Sequence, residues 1–179
     1  EKIPGALLRE LDCWDGVLEQ YRQERYQYEV RGKTIEVESG FRSLAQLVQG
    51  LPADVAVEDD VLRLFAAADE RLGPLDAFVN NAGILARQMR VDEMDAARLN
   101  RVFATNVTGA FLCAREAVRR MSTRRGGRGG AIVNLSSRAA RIGSPGEYVD
   151  YAASKAAIDT LTLGLAKEVA SEGIRVNAV

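Results

Sequence analysis

The chain has 179 residues, enough for one domain of ordinary size, with 47% hydrophobic and 27% charged residues and a formal net charge of −1. So small a charge excludes a global field that would draw nucleic acid or an anionic membrane, and no apolar run approaches the roughly 20 residues needed to span a bilayer. Histidine is absent, which removes Ser-His-Asp and Cys-His nucleophilic mechanisms and the usual zinc sites. The two cysteines, Cys13 and Cys113, make no metal-ligand spacing, so no metal site is expected. Two thiols in a chain of this size fit a reducing, cytoplasmic setting, and residues 1–5 do not read as a secretory signal.

Residues 1–50 read as an atypical segment of uncertain origin. Leu7, Leu8, Leu11, Trp14 and Leu18 fall on one face of a helix. Tyr26, Tyr28 and Val30 alternate, Arg31-Gly32-Lys33 can turn, and Ile35 and Val37 alternate again, which predicts a β-hairpin. A short helix over 41–48 follows. From residue 51 the pattern becomes strand, helix, strand. Residues 53–57 read as the end of a strand. Val61, Leu62, Leu64, Phe65 and Ala68 predict a helix over 58–72, stopped by Gly73-Pro74. Residues 75–79 read as an apolar strand, with Asn80-Asn81-Ala82-Gly83 turning out of it. Residues 92–121 read as one or two helices, 126–130 as a glycine-rich loop, 131–135 as a buried strand, 138–149 as a loop, 150–172 as a helix and 174–179 as a last strand. Strands separated by long helices predict a parallel sheet with helices on both faces and a ligand site at the carboxyl ends of the strands. Asn80, Asn81, Ser136 and Ser137 all fall at those ends.

The chemistry converges on Tyr151-Ala152-Ala153-Ser154-Lys155. With no histidine, acid/base work falls to Tyr, Lys, Asp or Glu. Tyrosine and lysine four residues apart share one face of a helix. An ammonium held against a phenol favours the phenolate, and such a pair can exchange a proton with an oxygen during carbonyl reduction or alcohol oxidation. The bland alternative is a surface pair worth a few tenths of a kcal/mol. Tyr148 lacks the partner, because its +4 position is Ala152.

Together these residues resemble the short-chain dehydrogenase/reductase family over residues 52–179. Asn80-Asn81-Ala82-Gly83 looks like its NNAG motif, Asn106 its catalytic asparagine, Asn134-Leu135-Ser136-Ser137 the strand bearing its serine, Tyr151 and Lys155 its YxxxK pair, and Asp54-Val55 the pair bordering the adenine. The resemblance implies a Rossmann-like, doubly wound α/β fold and an NAD(P)-dependent oxidoreductase acting on a small carbonyl or alcohol. It implies that Tyr151 exchanges the proton and that Lys155 supports it and hydrogen-bonds the nicotinamide ribose. Ser137 would steady the substrate oxygen, and Asn106 would hold a water beside Lys155. Asp54, Val55 and Asn80 to Gly83 would lie along the cofactor, NADP or NAD. Ser137 precedes Tyr151 by 14 residues, about one more than the family's usual distance, so an insertion is expected near Ser144-Pro145-Gly146. Ser136 and Ser137 also read simply as turn residues, Asn106 as a locally bonded helix residue and Asp54 as a cap.

The family's first unit, a strand, a TGxxxGxG turn and a helix, has no counterpart in the sequence. That turn presents backbone N–H groups to the pyrophosphate. Residues 1–50 stand in its place, and the chain stops at Val179 where the family continues with a lid, so a partial or chimeric sequence is expected. Residues 51–179 are then a partial catalytic domain. The alternative to an enzyme is an inactive chain that oligomerises or binds, through helices matching 101–121 and 152–171 with Leu161, Leu163 and Leu165; a homo-oligomer is expected. A third reading, RNA binding through Arg124-Arg125-Gly126-Gly127-Arg128-Gly129-Gly130, lacks interleaved aromatics.

Overall fold

The computed structural model describes residues 27–30, 33–36 and 50–179. The helices expected near residues 7–18 and 41–48 lie outside these. Residues 3–52 and 53–179 form separate compact units. In the first, β1 (Gln27–Val30) pairs antiparallel with β2 (Lys33–Glu36), the hairpin that the alternation predicts, with Tyr28 opposite Ile35 and with Lys33, expected in the turn, paired with Val30.

In the second unit, α1 (Glu58–Leu72) occupies the expected residues. Glu58, Asp59 and Asp60 fill its first turn, where the helix dipole favours acids. Gly73 ends it with φ 77°, a left-handed conformation that glycine adopts without a Cβ clash, and its N–H returns to Asp69 O at 3.1 Å. Upstream, residues 53–57 are not a strand. The Asp54 side chain accepts from Ala56 N–H at 3.0 Å, and Val57 N–H bonds Asp54 O at 2.9 Å. No strand among the described residues pairs with this segment, and an aspartate that captures its own backbone makes a turn instead.

Three parallel strands follow: β3 (Ala77–Asn80), β4 (Gly130–Asn134) and β5 (Ile174–Ala178), with β4 in the middle. Between β3 and β4 run α2 (Ala96–Phe103) and α3 (Gly109–Met121), and between β4 and β5 run α4 (Ala139–Ile142) and α5 (Val149–Val169). Asp95 caps α2 by accepting from Arg98 N–H at 2.7 Å. Residues 104–108, between α2 and α3, are wound as a π-helix, so 96–121 is one rod with a widened turn rather than two helices. The short α4, closed by Gly143, lies where an uninterrupted loop was expected.

Phe78, Ile132 and Val176 stand in register across the sheet. With Ile174 they meet Val61 and Phe65 of α1, Cys113, Ala117 and Met121 of α3 and Val169 of α5 in one core. The Phe65 and Phe78 rings lie 5.5 Å apart, and Arg120 Cζ sits 5.0 Å from the Phe65 centroid. The alternate row, Val79, Val133 and Asn177, turns away from this core, and Val79 is 60% exposed. Among the described residues the long helices therefore cover one face, where two covered faces were expected. Right-handed crossovers that step always in the same direction across a sheet leave their helices on the same side. A doubly wound sheet covers its second face only with strands added in the opposite direction, so the described sheet is the singly wound part of such a fold.

Candidate functional site

The carboxyl ends of β3 and β4 open onto the N-terminal half of α5 and the π-helical turn. Two buried asparagines hold the strand ends together: Asn80 Nδ2 donates to Asn134 Oδ1 at 3.1 Å and to Ala110 O at 3.0 Å, and Asn134 Nδ2 donates to Thr162 Oγ1 at 2.8 Å. The Asn80 side chain is thus part of the scaffold, while Asn81, Ala82 and Gly83 lead away from the strand at its open end.

The widened turn presents Asn106, which is 2% exposed. A single π turn re-aims a side chain that a regular helix would carry elsewhere, and such turns recur at functional sites. Asn106 Oδ1 accepts from Ile84 N–H at 2.7 Å, and its Nδ2 donates to Ile84 O at 2.9 Å and to Ser154 Oγ at 3.0 Å. Ser154 Oγ in turn donates to Tyr151 O at 2.7 Å. Asn106 therefore links the chain leaving β3 to the helix carrying Tyr151 and Lys155.

Lys155 is 6% exposed and its Nζ donates to Leu135 O at 2.5 Å. Burial pushes its ammonium below the usual lysine value. The Nζ lies 5.7 Å from the centroid of the half-buried Tyr151 ring. A methyl placed on Gly83 would sit in ordinary van der Waals contact with Lys155 Nζ at 3.7 Å and Asn106 Oδ1 at 3.5 Å, so Gly83 lies directly beside both side chains. Tyr151, Lys155, Asn106 and Gly83 lie together at this end of the sheet. Ser137 stands at the same end of β4, where its Oγ accepts from Ala139 N–H at 3.1 Å, in the turn-forming role that its residue type also predicts. The neighbouring Ser136 Oγ donates to Lys155 O at 3.4 Å.

Asp54 and Val55 lie at the turn before α1. Val55 packs so closely on Gly109 that a Cβ there would approach Val55 Cγ2 and Val55 O to 2.8 Å. That contact joins the Asp54-Val55 turn to the first residue after the π-helical turn. Sequence reasoning did not single out Ser154 or the Arg98–Asp150 pair. Ser154 shares its signal with the lysine motif, since position i+3 from Tyr151 faces the same side of the helix. Arg98 and Asp150 are 52 positions apart, with no local signal.

The arginine- and glycine-rich loop is engaged within the fold. Arg124 pairs with Glu172 at 3.2 Å and Arg128 with Asp76 at 2.8 Å. A Cβ on Gly127 would come within 2.4 Å of the Arg120 and Met121 carbonyls, so close backbone packing accounts for a glycine there. On the outer side of α3 and α5, Phe111, Ala114, Val118, Leu161 and Leu165 line a groove of about 780 Å³; Phe111 is 50% exposed there, while Leu163, 60% exposed, lies on another face of α5. No helix among the described residues is long and apolar enough to cross a membrane.

A parallel sheet with a Tyr-x-x-x-Lys helix and a buried asparagine converging on its carboxyl ends defines a recognisable class. The family model for short chain dehydrogenases matches residues 28–179, and the chain belongs to that family. The match begins upstream of residue 52, where the motif-based resemblance starts, and takes in the β1–β2 hairpin. The chain is 63% identical over 129 residues to the uncharacterized oxidoreductase YgfF of Escherichia coli (strain K12), covering 72% of this chain and 52% of that protein. It is 40% identical over 133 residues to the 3-oxoacyl-(acyl-carrier-protein) reductase FabG of Staphylococcus aureus (strain Mu50 / ATCC 700699), covering 72% and 50%. It is 42% identical over 130 residues to the inactive 2-(S)-hydroxypropyl-CoM dehydrogenase 2 of Xanthobacter autotrophicus (strain ATCC BAA-1158 / Py2), covering 73% and 54%. The chain thus spans about half the length of these curated relatives.

Proposed function

We propose that this chain carries the proton-exchange part of an NADP- or NAD-dependent oxidoreductase acting on a small carbonyl or alcohol. The observation that carries the reading is the buried Lys155 ammonium, held by Leu135 O beside the Tyr151 ring and next to Gly83 at the open end of the sheet. An ammonium has three N–H groups and Leu135 takes one, which suits the donor set to a ribose hydroxyl as well. These residues fit the nicotinamide end of the cofactor, with Tyr151 and Lys155 holding it and Asn81, Ala82 and Gly83 beside it. Asp54 and Val55 are the candidates for its adenine end. When bound, a nicotinamide cofactor supplies or accepts the hydride.

The protein's own part is acid/base and electrostatic. Tyr151 gives its hydroxyl proton to the substrate oxygen as negative charge gathers there, and takes it back in alcohol oxidation. Lys155 provides the positive charge that favours the phenolate left behind. Ser137 donates to the same oxygen, since accepting from Ala139 N–H leaves its own O–H free. Asn106, with its amide engaged by Ile84 and Ser154, ties the chain after Gly83 to α5 rather than offering a free side chain to solvent.

A second reading, an inactive chain that only associates, is favoured by the absence of a TGxxxGxG turn from the sequence and by a relative named as inactive. In either reading the occupant proposed for the α3–α5 groove is a second copy of this chain. Fluorescence titration with NADPH and then NADH separates the two readings. Saturable micromolar binding, weakened in Lys155→Met, supports the oxidoreductase; no binding up to millimolar cofactor refutes it for this chain. Sedimentation velocity of wild type and Phe111→Glu, a change inside the groove, tests the self-association shared by both.

A further inference from the structure

Arg98 and Asp150 form an ion pair inside the protein, with side chains 7% and 1% exposed. The contact is bidentate: Arg98 Nε to Asp150 Oδ2 at 2.8 Å and Nη2 to Oδ1 at 3.2 Å. The third arm of the guanidinium, Nη1, donates to Arg87 O at 2.5 Å and lies 3.9 Å from Met89 Sδ. One planar cation therefore touches two separate pieces of chain. The first is the segment 84–90, which leaves Ile84 in the grip of Asn106. The second is the opening turn of α5, where Asp150 immediately precedes Tyr151. A further bridge runs alongside, from Met89 N–H to Glu147 O at 3.0 Å and from Gln88 Nε2 to Glu147 Oε1 at 3.3 Å.

A buried ion pair is a weak source of net stability, because desolvation offsets most of the attraction. What a bidentate guanidinium supplies is direction, since its donors lie in a fixed plane and cannot swivel independently. Neither side chain has a part in the proton exchange proposed above. Their shared geometry does reach that chemistry, through the backbone between Asp150 and Tyr151.

We propose that Arg98 and Asp150 are a positioning pair that fastens the segment 84–90 to the first turn of α5 as one rigid unit and so sets where the Tyr151 hydroxyl stands. The role of Tyr151 rests on the function proposed above; the fastening stands on the geometry alone.

Amide hydrogen exchange in the intact protein tests the fastening. Met89 N–H reports the segment and Ala152 N–H, bonded to Tyr148 O at 2.9 Å, reports the helix turn, while Leu135 N–H, bonded to Asn80 O, reports the sheet. In Arg98→Met and in Asp150→Asn the first two are expected to exchange together, tenfold faster or more, with the third unchanged. Because a single substitution leaves one buried charge unpaired, the double variant Arg98→Met/Asp150→Asn is included; it removes both charges and is expected to behave the same way. Arg98→Lys keeps a charge for Asp150 but cannot also present a fixed arm to Arg87, so it should restore Ala152 and not Met89. In Arg98→Met, Asp150→Asn and the double variant, unchanged rates, acceleration at one reporter alone, or equal acceleration at all three overturns the proposal. In turnover assays with NADPH, the double variant should lose tenfold or more in kcat while the cofactor KM stays within twofold. The reverse split overturns the positioning role. Tyr151→Phe is run beside them: turnover surviving there refutes the proton-exchange reading, and the Met89 and Ala152 rates still decide the fastening.

Discussion

Asn106 closes a ring on the backbone of Ile84, accepting its N–H at 2.7 Å and donating to its carbonyl at 2.9 Å. Ile84 follows Gly83 in a segment of no regular structure, so this side chain does for it what a neighbouring strand does elsewhere in the sheet. Replacement by leucine, of similar size, should leave the two part-buried backbone groups of Ile84 without this partner and the buried Ser154 Oγ without its donor. Each buried group left unsatisfied costs about 1–3 kcal/mol. Urea unfolding of Asn106→Leu should show a clearly lower midpoint. An unchanged midpoint means water replaces the amide, and the ring is then not what holds Ile84.

Tyr151 is half-buried, and its hydroxyl makes no hydrogen bond among the described residues. Tyr151→Phe should therefore shift stability by no more than about 0.5 kcal/mol. General acid/base groups contribute roughly 10²- to 10⁴-fold, and any carbonyl-reducing turnover should fall by that factor. Unfolding curves and steady-state rates on the same preparation check both halves. Lost stability with retained turnover would reverse the assignment of this residue.

The features read correctly from the sequence are those with local causes. The α1 boundaries follow from an acidic first turn and a Gly-Pro stop. The meeting of Tyr151 with Lys155 follows from helical spacing, and their meeting with Asn106 from the family resemblance. The features missed have distant causes. Residues 53–57 carry strand-forming valines, but a strand exists only where a neighbour pairs with it, and Asp54 instead closes a turn. The π-helical turn at 104–108 has no sequence signature, because one extra residue per turn is settled by what Asn106 reaches across the site. The pairing of Arg98 with Asp150 lies in the same category.

Two glycines on helices should respond with opposite signs to alanine. Gly109 faces Val55, where a new Cβ would lie 2.8 Å from a carbonyl oxygen, and backbone cannot move aside as a flexible side chain can. Overpacking of this kind costs about 1–3 kcal/mol, more than the roughly 1 kcal/mol that alanine gains over glycine within a helix. Gly164, inside α5, has nothing within 4 Å of its Cβ position, so there the helix gain stands by itself. Thermal melts should place Gly109→Ala below wild type and Gly164→Ala above it. Equal shifts would mean that the Val55 turn yields to the added methyl.

Glu116 should make the protein sensitive to acid. Its side chain is 5% exposed and accepts from Arg115 Nε at 3.1 Å, Arg119 Nη1 at 2.8 Å and Arg120 Nη1 at 2.8 Å. Burial pushes its carboxyl up, but hydrogen bonds from Arg120 and Arg115 and the charges of Arg119 and Arg120 outweigh that and hold it below the usual glutamate value. A carboxyl that titrates lower in the folded than in the unfolded chain stabilises the fold above the unfolded value, near pH ~4.3. That stabilisation is lost as the pH falls through the folded value. Asp150, held low against its own burial by Arg98 and the Tyr151 N–H, contributes with the same sign. Wild-type stability should therefore drop steeply below about pH 4.3. Glu116→Gln should be less stable at pH 7, where the three arginines lose the carboxylate they share while Arg115 keeps Glu58 and Arg120 keeps Asp69, and flatter in the acid range. Denaturant midpoints taken at intervals from pH 3 to pH 7 check this; parallel profiles for the two proteins would show that the acid sensitivity resides in other carboxylates.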